Sequence, residues 1–122
     1  MTNENHKRVL IADDEYMITE LFRRTIERGG GEVSGVVHSA REAISSVEKN
    51  PPDIVLLDIA MENRTAGIDA CKRIRAMELP CKIYFLSSYK ENILEKDLMD
   101  VEYDGYIDKF DFQSRLNEVL TA

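Results

Sequence analysis

The chain has 122 residues, a formal net charge of -7 and 43% hydrophobic residues. That length suits one domain able to bury a core without disulfide or metal staples. The acidic balance argues against direct nucleic-acid binding, which needs a basic face, and no apolar run approaches the roughly 20 residues of a membrane span.

The N-terminus, Met1 to Arg8, is polar and leads straight into an apolar run, so no secretory leader is expected and the reading is a cytoplasmic protein. Val9-Leu10-Ile11-Ala12 reads as strand one, ending in Asp13-Asp14-Glu15. From Tyr16 the period becomes helical: Met17, Leu21 and Ile26, with Ile18, Phe22 and Thr25, fall on one stripe expected to face the core. Gly29-Gly30-Gly31 ends this helix, since glycine tolerates the left-handed cap. Glu32 to Val37 reads as strand two. Ser39 opens a second helix with Glu42 completing a capping box, and Ala40, Ala43, Ile44 and Val47 face inward. Asn50-Pro51-Pro52 closes it.

Asp53-Ile54-Val55-Leu56-Leu57-Asp58 reads as strand three, buried on both faces and stopping at a carboxylate. A polar loop from Met61 to Ala66 leads to a third helix with Ile68, Cys71, Ile74 and Met77 on one side. Pro80 precedes strand four, Lys82 to Leu86, which ends in Ser87-Ser88. Ile93, Leu94, Leu98 and Met99 give the stripe of a fourth helix. Gly105-Tyr106-Ile107 reads as strand five, followed by Asp108-Lys109, and Phe112, Leu116, Val119 and Leu120 mark a last helix. Cys71 and Cys81 lack zinc-ligand spacing and read as reduced thiols. Strands alternating with helices imply a parallel sheet covered on both faces.

In such a sheet ligands gather outside the carboxyl ends of the strands. Here those ends carry Asp13-Asp14, Asp58, Ser87 and Lys109. Carboxylates brought together need a cation to remain ionised, and hard oxygen ligands suit Mg²⁺. An added hydroxyl and ammonium would complete a receptor for a phosphoryl group, with Asp58 supplying the attacking oxygen. Each position alone has a blander reading: Asp and Ser commonly end strands and start turns, and a lone Lys is usually a solvated charge. Their joint occurrence at the strand ends favours a site.

Val-Leu-Ile-Ala-Asp-Asp-Glu, Asp-Ile-Val-Leu-Leu-Asp, Phe-Leu-Ser-Ser and Gly-Tyr-Ile-Asp-Lys, in that order and spacing, resemble the receiver domain of two-component response regulators. The resemblance covers roughly residues 7–120 of a single domain spanning 1–122. It implies a flavodoxin-like, doubly wound α/β fold with a five-stranded parallel sheet of order 2-1-3-4-5. It makes Asp58 the phosphoacceptor, charged by a sensor histidine kinase, a histidine phosphotransfer protein or a small phosphodonor. Asp13, Asp14, Asp58 and the backbone carbonyl of Ala60 would hold Mg²⁺. Ser87 and Lys109 would bind the phosphoryl group, and Tyr106 would follow Ser87 inward. Ala60 and Tyr89 stand where the family tunes hydrolysis. Output would pass to an effector protein or output domain through the face of helix four, strand five and helix five, which also serves as a possible dimer contact. The chain would not be an enzyme beyond self-catalysed phosphoryl transfer and its reversal by water.

The sequence departs from the family pattern in three places. Glu62 follows Met61 where the family usually has proline, in a loop one residue longer. Phe110 follows Lys109 in place of a proline that commonly carries a cis bond, and Val101-Glu102-Tyr103 replaces the usual Ala-Gly before strand five. Two other classes remain open. A Mg²⁺-dependent aspartyl-phosphate phosphatase or phosphotransferase would need a second aspartate at Ala60, which argues against it. A pseudo-receiver that binds partners without phosphorylation is disfavoured by the intact acidic, Ser87 and Lys109 set.

Overall fold

The structure, a computed structural model, describes residues 6–121. The stretch before residue 6, on which the expectation of no leader rests, lies outside them. The chain runs β1 (Arg8–Ala12), α1 (Tyr16–Arg28), β2 (Glu32–Val37), α2 (Ala40–Lys49), β3 (Ile54–Asp58), α3 (Ala66–Arg75), β4 (Lys82–Ser87), α4 (Glu95–Leu98), β5 (Gly105–Asp108) and α5 (Phe112–Leu120). All five strands are parallel, in the order β2-β1-β3-β4-β5. This is the flavodoxin-like single domain expected above. Among the described residues, no helix is long and apolar enough to cross a membrane.

Alternation along the strands divides the core in two. Val9, Ile11, Ile54, Leu56, Leu86 and Ile107 pack beneath Phe22 and Ile26 of α1 and Phe112, Val119 and Leu120 of α5. Leu10, Ala12, Val55, Leu57, Ile83 and Phe85 pack beneath the buried stripes of α2, α3 and α4. β3 lies in the middle of the sheet and every residue of it is buried, as its unbroken apolar run requires.

Helix starts and stops follow local chemistry. Ser39 Oγ accepts the Glu42 N–H at 3.1 Å, and the Glu42 carboxylate reaches back to the His38 N–H at 3.3 Å. α1 ends at Gly29, and the left-handed residue is Gly30 at φ 91°. Gly67 has a different task. A Cβ there would sit 2.0 Å from the Asp58 carbonyl oxygen, so only glycine lets α3 begin directly against the end of β3.

Two expectations need correction. Met17 and Leu21 do not face the core: they are 87% and 47% exposed, and the buried stripe is Thr19, Phe22, Thr25 and Ile26. The threonines turn inward because their hydroxyls are already satisfied within the helix. Thr19 donates to the Tyr16 carbonyl at 2.7 Å and Thr25 to the Leu21 carbonyl at 2.8 Å. Helix four is also shorter than its apolar pattern suggests. Glu91–Leu94 forms a 3-10 turn and α4 itself has 4 residues. Leu94 and Leu98 are buried, whereas Ile93 and Met99 are 62% and 81% exposed.

Glu62, standing in place of the family proline, ties its loop to α2. Its carboxylate accepts the Ala40 N–H at 2.7 Å and the Arg41 N–H at 3.2 Å. Burial would raise the Glu62 carboxyl, but these backbone donors hold it below the usual range. Beside β5, Asp104 pairs with Arg75 at 2.6 Å and accepts the Ile83 N–H at 2.7 Å. Arg75 also donates to the Glu102 carbonyl at 2.7 Å. That clasp secures the Val101-Glu102-Tyr103 segment.

Candidate functional site

Sheet register brings the acidic residues together. Ala12 pairs with Leu57, so Asp13 and Asp58, one residue further on, emerge side by side at the carboxyl edge. Asp58 is opposite Leu86, which places Ser87 beside it, and Ser87 in turn pairs with Asp108, one residue before Lys109. Carboxylate oxygens of Asp13, Asp14 and Asp58 lie within 4.8 Å of one another. Asp13 and Asp58 are buried, while Asp14 is exposed to the mouth.

Lys109 faces this cluster. Its Nζ is 2.8 Å from Asp13, 3.0 Å from Glu15 and 3.2 Å from Asp58, and its side chain is only 7% exposed. Asp108 positions it by accepting the Phe110 N–H at 2.8 Å, which opens the 3-10 turn Lys109–Asp111. The Lys109–Phe110 bond is trans, like every peptide bond among the described residues, and Lys109 reaches the cluster without the family proline. Phe110 itself points outward, 84% exposed.

Burial and the adjacent Asp13 charge push the Asp58 carboxyl up to about 8, against the opposing pull of Lys109. Burial alone would lower the Lys109 ammonium, but the Asp13, Asp58 and Glu15 carboxylates hold it above its ordinary value. One ammonium therefore leaves the cluster short of positive charge.

Two buried oxygens, Asp13 Oδ2 and Asp58 Oδ2, have the ammonium at ion-pair distance but no hydrogen-bond donor. A buried carboxylate oxygen without a donor is costly. An all-oxygen set with such orphaned acceptors fits a hard divalent cation such as Mg²⁺. Asp13, Asp14 and Asp58 are the residues that could hold it, and Asp14, Asp58 and Ala60 line a cavity of about 280 Å³.

The remaining expected residues fall around that cavity, except for one. Ser87 is buried at the end of β4, and its Oγ accepts the Tyr89 N–H at 2.9 Å. Tyr89 lines the mouth and is 57% exposed. Tyr106 does not line the cavity; it is half-buried on β5 and linked to it through Tyr89. The sequence reading passed over several residues that the fold places here, among them Glu15, Arg64 and Ile93. Glu15 is the third carboxylate on Lys109, and its place in the Asp13-Asp14-Glu15 run was the available signal. Arg64 and Ile93 also line the cavity, and Arg64 lies 3.7 Å from Asp97 of α4. Neither carries a motif.

A family model described as the response regulator receiver domain matches residues 9–121. The chain belongs to that family. It is 32% identical to the chemotaxis protein CheY of Thermotoga maritima, covering 93% of this chain and 94% of that protein. It is 29% identical to the alkaline phosphatase synthesis transcriptional regulatory protein PhoP of Bacillus subtilis, covering 85% of this chain and 42% of that longer protein. Among solved structures, the signal receiver domain of the response regulator NarL from Mycobacterium tuberculosis superposes with a TM-score of 0.83 at 22% identity. That superposition covers 93% of this chain and 91% of that one, and it bears on the fold. Receiver domains are the phosphoacceptor signalling modules of two-component systems, and the family binds Mg²⁺ at an acidic pocket.

Proposed function

We propose that this receiver is a switch set by phosphorylation of Asp58. The observation that carries the reading is the Asp58 carboxylate at the buried end of β3, with Lys109 Nζ 3.2 Å away and Asp13 and Asp14 around it. The donor is a phosphohistidine on a sensor kinase or phosphotransfer protein, or a small acyl phosphate. An Asp58 oxygen attacks phosphorus, the donor's bond to phosphorus breaks, and its electron pair leaves with the imidazole or carboxylate. The product is an acyl phosphate on Asp58. Such transfer is mostly positioning and charge neutralisation. Mg²⁺ held by Asp13, Asp14, Asp58 and the Ala60 carbonyl would keep the carboxylates ionised and offset charge on the phosphoryl oxygens.

Lys109 supplies a second positive charge at a buried point. Ser87 supplies a donor: its oxygen already accepts from Tyr89, and its own hydrogen remains for a phosphoryl oxygen. A Ser87 that turns toward the phosphoryl group loosens Tyr89, and with it the Tyr106 hydroxyl bound to the Tyr89 carbonyl. This is a population shift toward the arrangement that binds the phosphoryl group better. The change would reach an effector or output domain through α4, β5 and α5, a face on which Ile93 and Met99 stand exposed and through which two copies would pair.

The test is treatment with acetyl phosphate and Mg²⁺, followed by intact mass. One phosphoryl group is expected on the wild type and none on Asp58→Asn or in EDTA. A wild type that gains no adduct from acetyl phosphate or a phosphorylated histidine donor overturns the reading.

A further inference from the structure

Lys109 has three N–H donors and three carboxylates around it, but they are not equivalent. Asp13 and Asp58 are held in the fold, at 0% and 3% exposure. Asp13 is pinned further, its N–H on the Val37 carbonyl and its Oδ1 on the Glu15 N–H at 2.9 Å. Glu15 is different: its side chain is 59% exposed, yet its Oε1 accepts a full hydrogen bond from Lys109 Nζ at 3.0 Å. The contacts of Lys109 to Asp13 and Asp58 are ion pairs without that geometry. The ammonium thus reaches the outermost carboxylate by a hydrogen bond while standing 2.8 Å from Asp13 and 3.2 Å from Asp58.

We propose that Glu15 is the displaceable partner of Lys109, a positioning residue that occupies the ammonium until a phosphoryl oxygen takes its place. The inference rests on the receiver reading above. A phosphoryl group brings a charge of about -1.5 to -2 and three strong acceptor oxygens, and all donors of Lys109 already face carboxylates. One must yield. Asp13 would leave a buried carboxylate unpaired, which is costly. Glu15 swings into water, where it is hydrated at little cost, and its exposed ion pair is screened. It also lies on the mouth of the cavity, where its own charge opposes an incoming anion. Glu15 therefore holds the site in its unphosphorylated arrangement and sets how readily the phosphoryl group is bound.

The test uses Glu15→Asp and Glu15→Ala in the full chain. Glu15 makes no side-chain capping bond to α1, so neither change removes a helix cap. Aspartate keeps the charge but is one methylene too short to reach Nζ. Beryllofluoride affinity at saturating Mg²⁺ and the initial rate with acetyl phosphate are measured, with thermal melts confirming the fold. Both variants are expected to bind beryllofluoride about two- to fivefold more tightly than wild type, the scale of an exposed ion pair, and to gain phosphate faster. A Glu15→Ala that equals or falls below wild type overturns the proposal. A gain in Glu15→Ala with Glu15→Asp unchanged also overturns it, because a general field effect would then suffice. A wild type that takes up neither probe overturns the receiver reading itself, and this inference with it.

Discussion

Tyr106 donates its phenolic hydroxyl to the backbone carbonyl of Tyr89 at 2.7 Å. Tyr89 in turn donates its N–H to Ser87 Oγ at 2.9 Å, so a half-buried aromatic on β5 is two bonds from the acceptor's pocket. If this chain belongs to the unphosphorylated arrangement alone, Tyr106→Phe should cost the unliganded protein about 1 kcal/mol, the net worth of one hydrogen bond. With beryllofluoride bound, the same substitution should cost nothing measurable. Paired urea melts read the difference, and an equal cost in both states would disconnect Tyr106 from the switch.

Gly67 seats the start of α3 against the end of β3, where Asp58 stands. With its missing Cβ only 2.0 Å from the Asp58 carbonyl oxygen, the neighbour that must move is backbone. Gly67→Ala should destabilise by about 1–3 kcal/mol, in the range of overpacked cores, and slow phosphorylation by shifting Asp58. Gly30, in open space at φ 91°, is the contrast: alanine there meets no atom but strains the backbone. Urea midpoints and acetyl phosphate rates for the two variants separate crowding at the site from strain far from it.

The set of strand-end residues was legible because it follows from local pattern, whereas the strand order came with the family resemblance. Four apolar runs ending in Asp13, Asp58, Ser87 and Asp108-Lys109 admit few arrangements once the sheet is parallel. What escaped depends on partners distant in sequence. Thr19 replaces Met17 and Leu21 in the stripe of α1 because a hydroxyl bound inside its own helix buries cheaply, which hydrophobicity alone does not reveal. Glu62 became a cap for α2 across 22 positions, a contact no local window contains. Glu15 was given no role in the sequence, because its contact with Lys109 exists only once β1 and β5 place the two side by side. Helix four was overread because Ile93 and Met99 supply a helical period while facing solvent.

Charge in the acidic pocket should make the metal-free protein pH-sensitive. The Asp58 carboxyl titrates near 8 in the fold and near 4 when unfolded. Between those values the folded state binds the extra proton, so stability falls as pH rises, by at most about 1.4 kcal/mol per pH unit from this group. In EDTA, wild type should lose stability from pH 5 to 8 relative to Asp58→Asn. Mg²⁺ should restore more at pH 8 than at pH 5, since it binds the ionised form. Chemical melts across that range check the sign; parallel curves for the two proteins would contradict it.

The two thiols should be inert. Cys71 and Cys81 are buried, and burial pushes the Cys71 thiol up to about 11 and raises Cys81 as well. The thiolate is the reactive form, so little is present near neutrality. Iodoacetamide at pH 8 should leave the native protein unmodified over an hour and label both cysteines once urea unfolds it. Rapid labelling of the native form would place either residue at a far more open position than α3 and the entry to β4 provide.

Lifetime of the phosphorylated state follows from what surrounds the acyl phosphate. Water must approach phosphorus in line with the bond to Asp58, through the mouth that Ala60 and Tyr89 border. Ala60 offers no side-chain group to orient that water. Tyr89 is fixed at both ends of its backbone, by Ser87 and Tyr106, and lines the same opening. Both features are expected to slow hydrolysis, so the phosphorylated form should persist for minutes or longer in Mg²⁺-containing buffer without a phosphatase. Ala60→Gln introduces a side chain able to orient water and should shorten the lifetime several-fold, and Tyr89→Ala should shorten it by opening the mouth. The decay is followed by intact mass after the donor is removed. Loss within seconds in the wild type would mean that the lysine and the metal, rather than these two positions, control access of water.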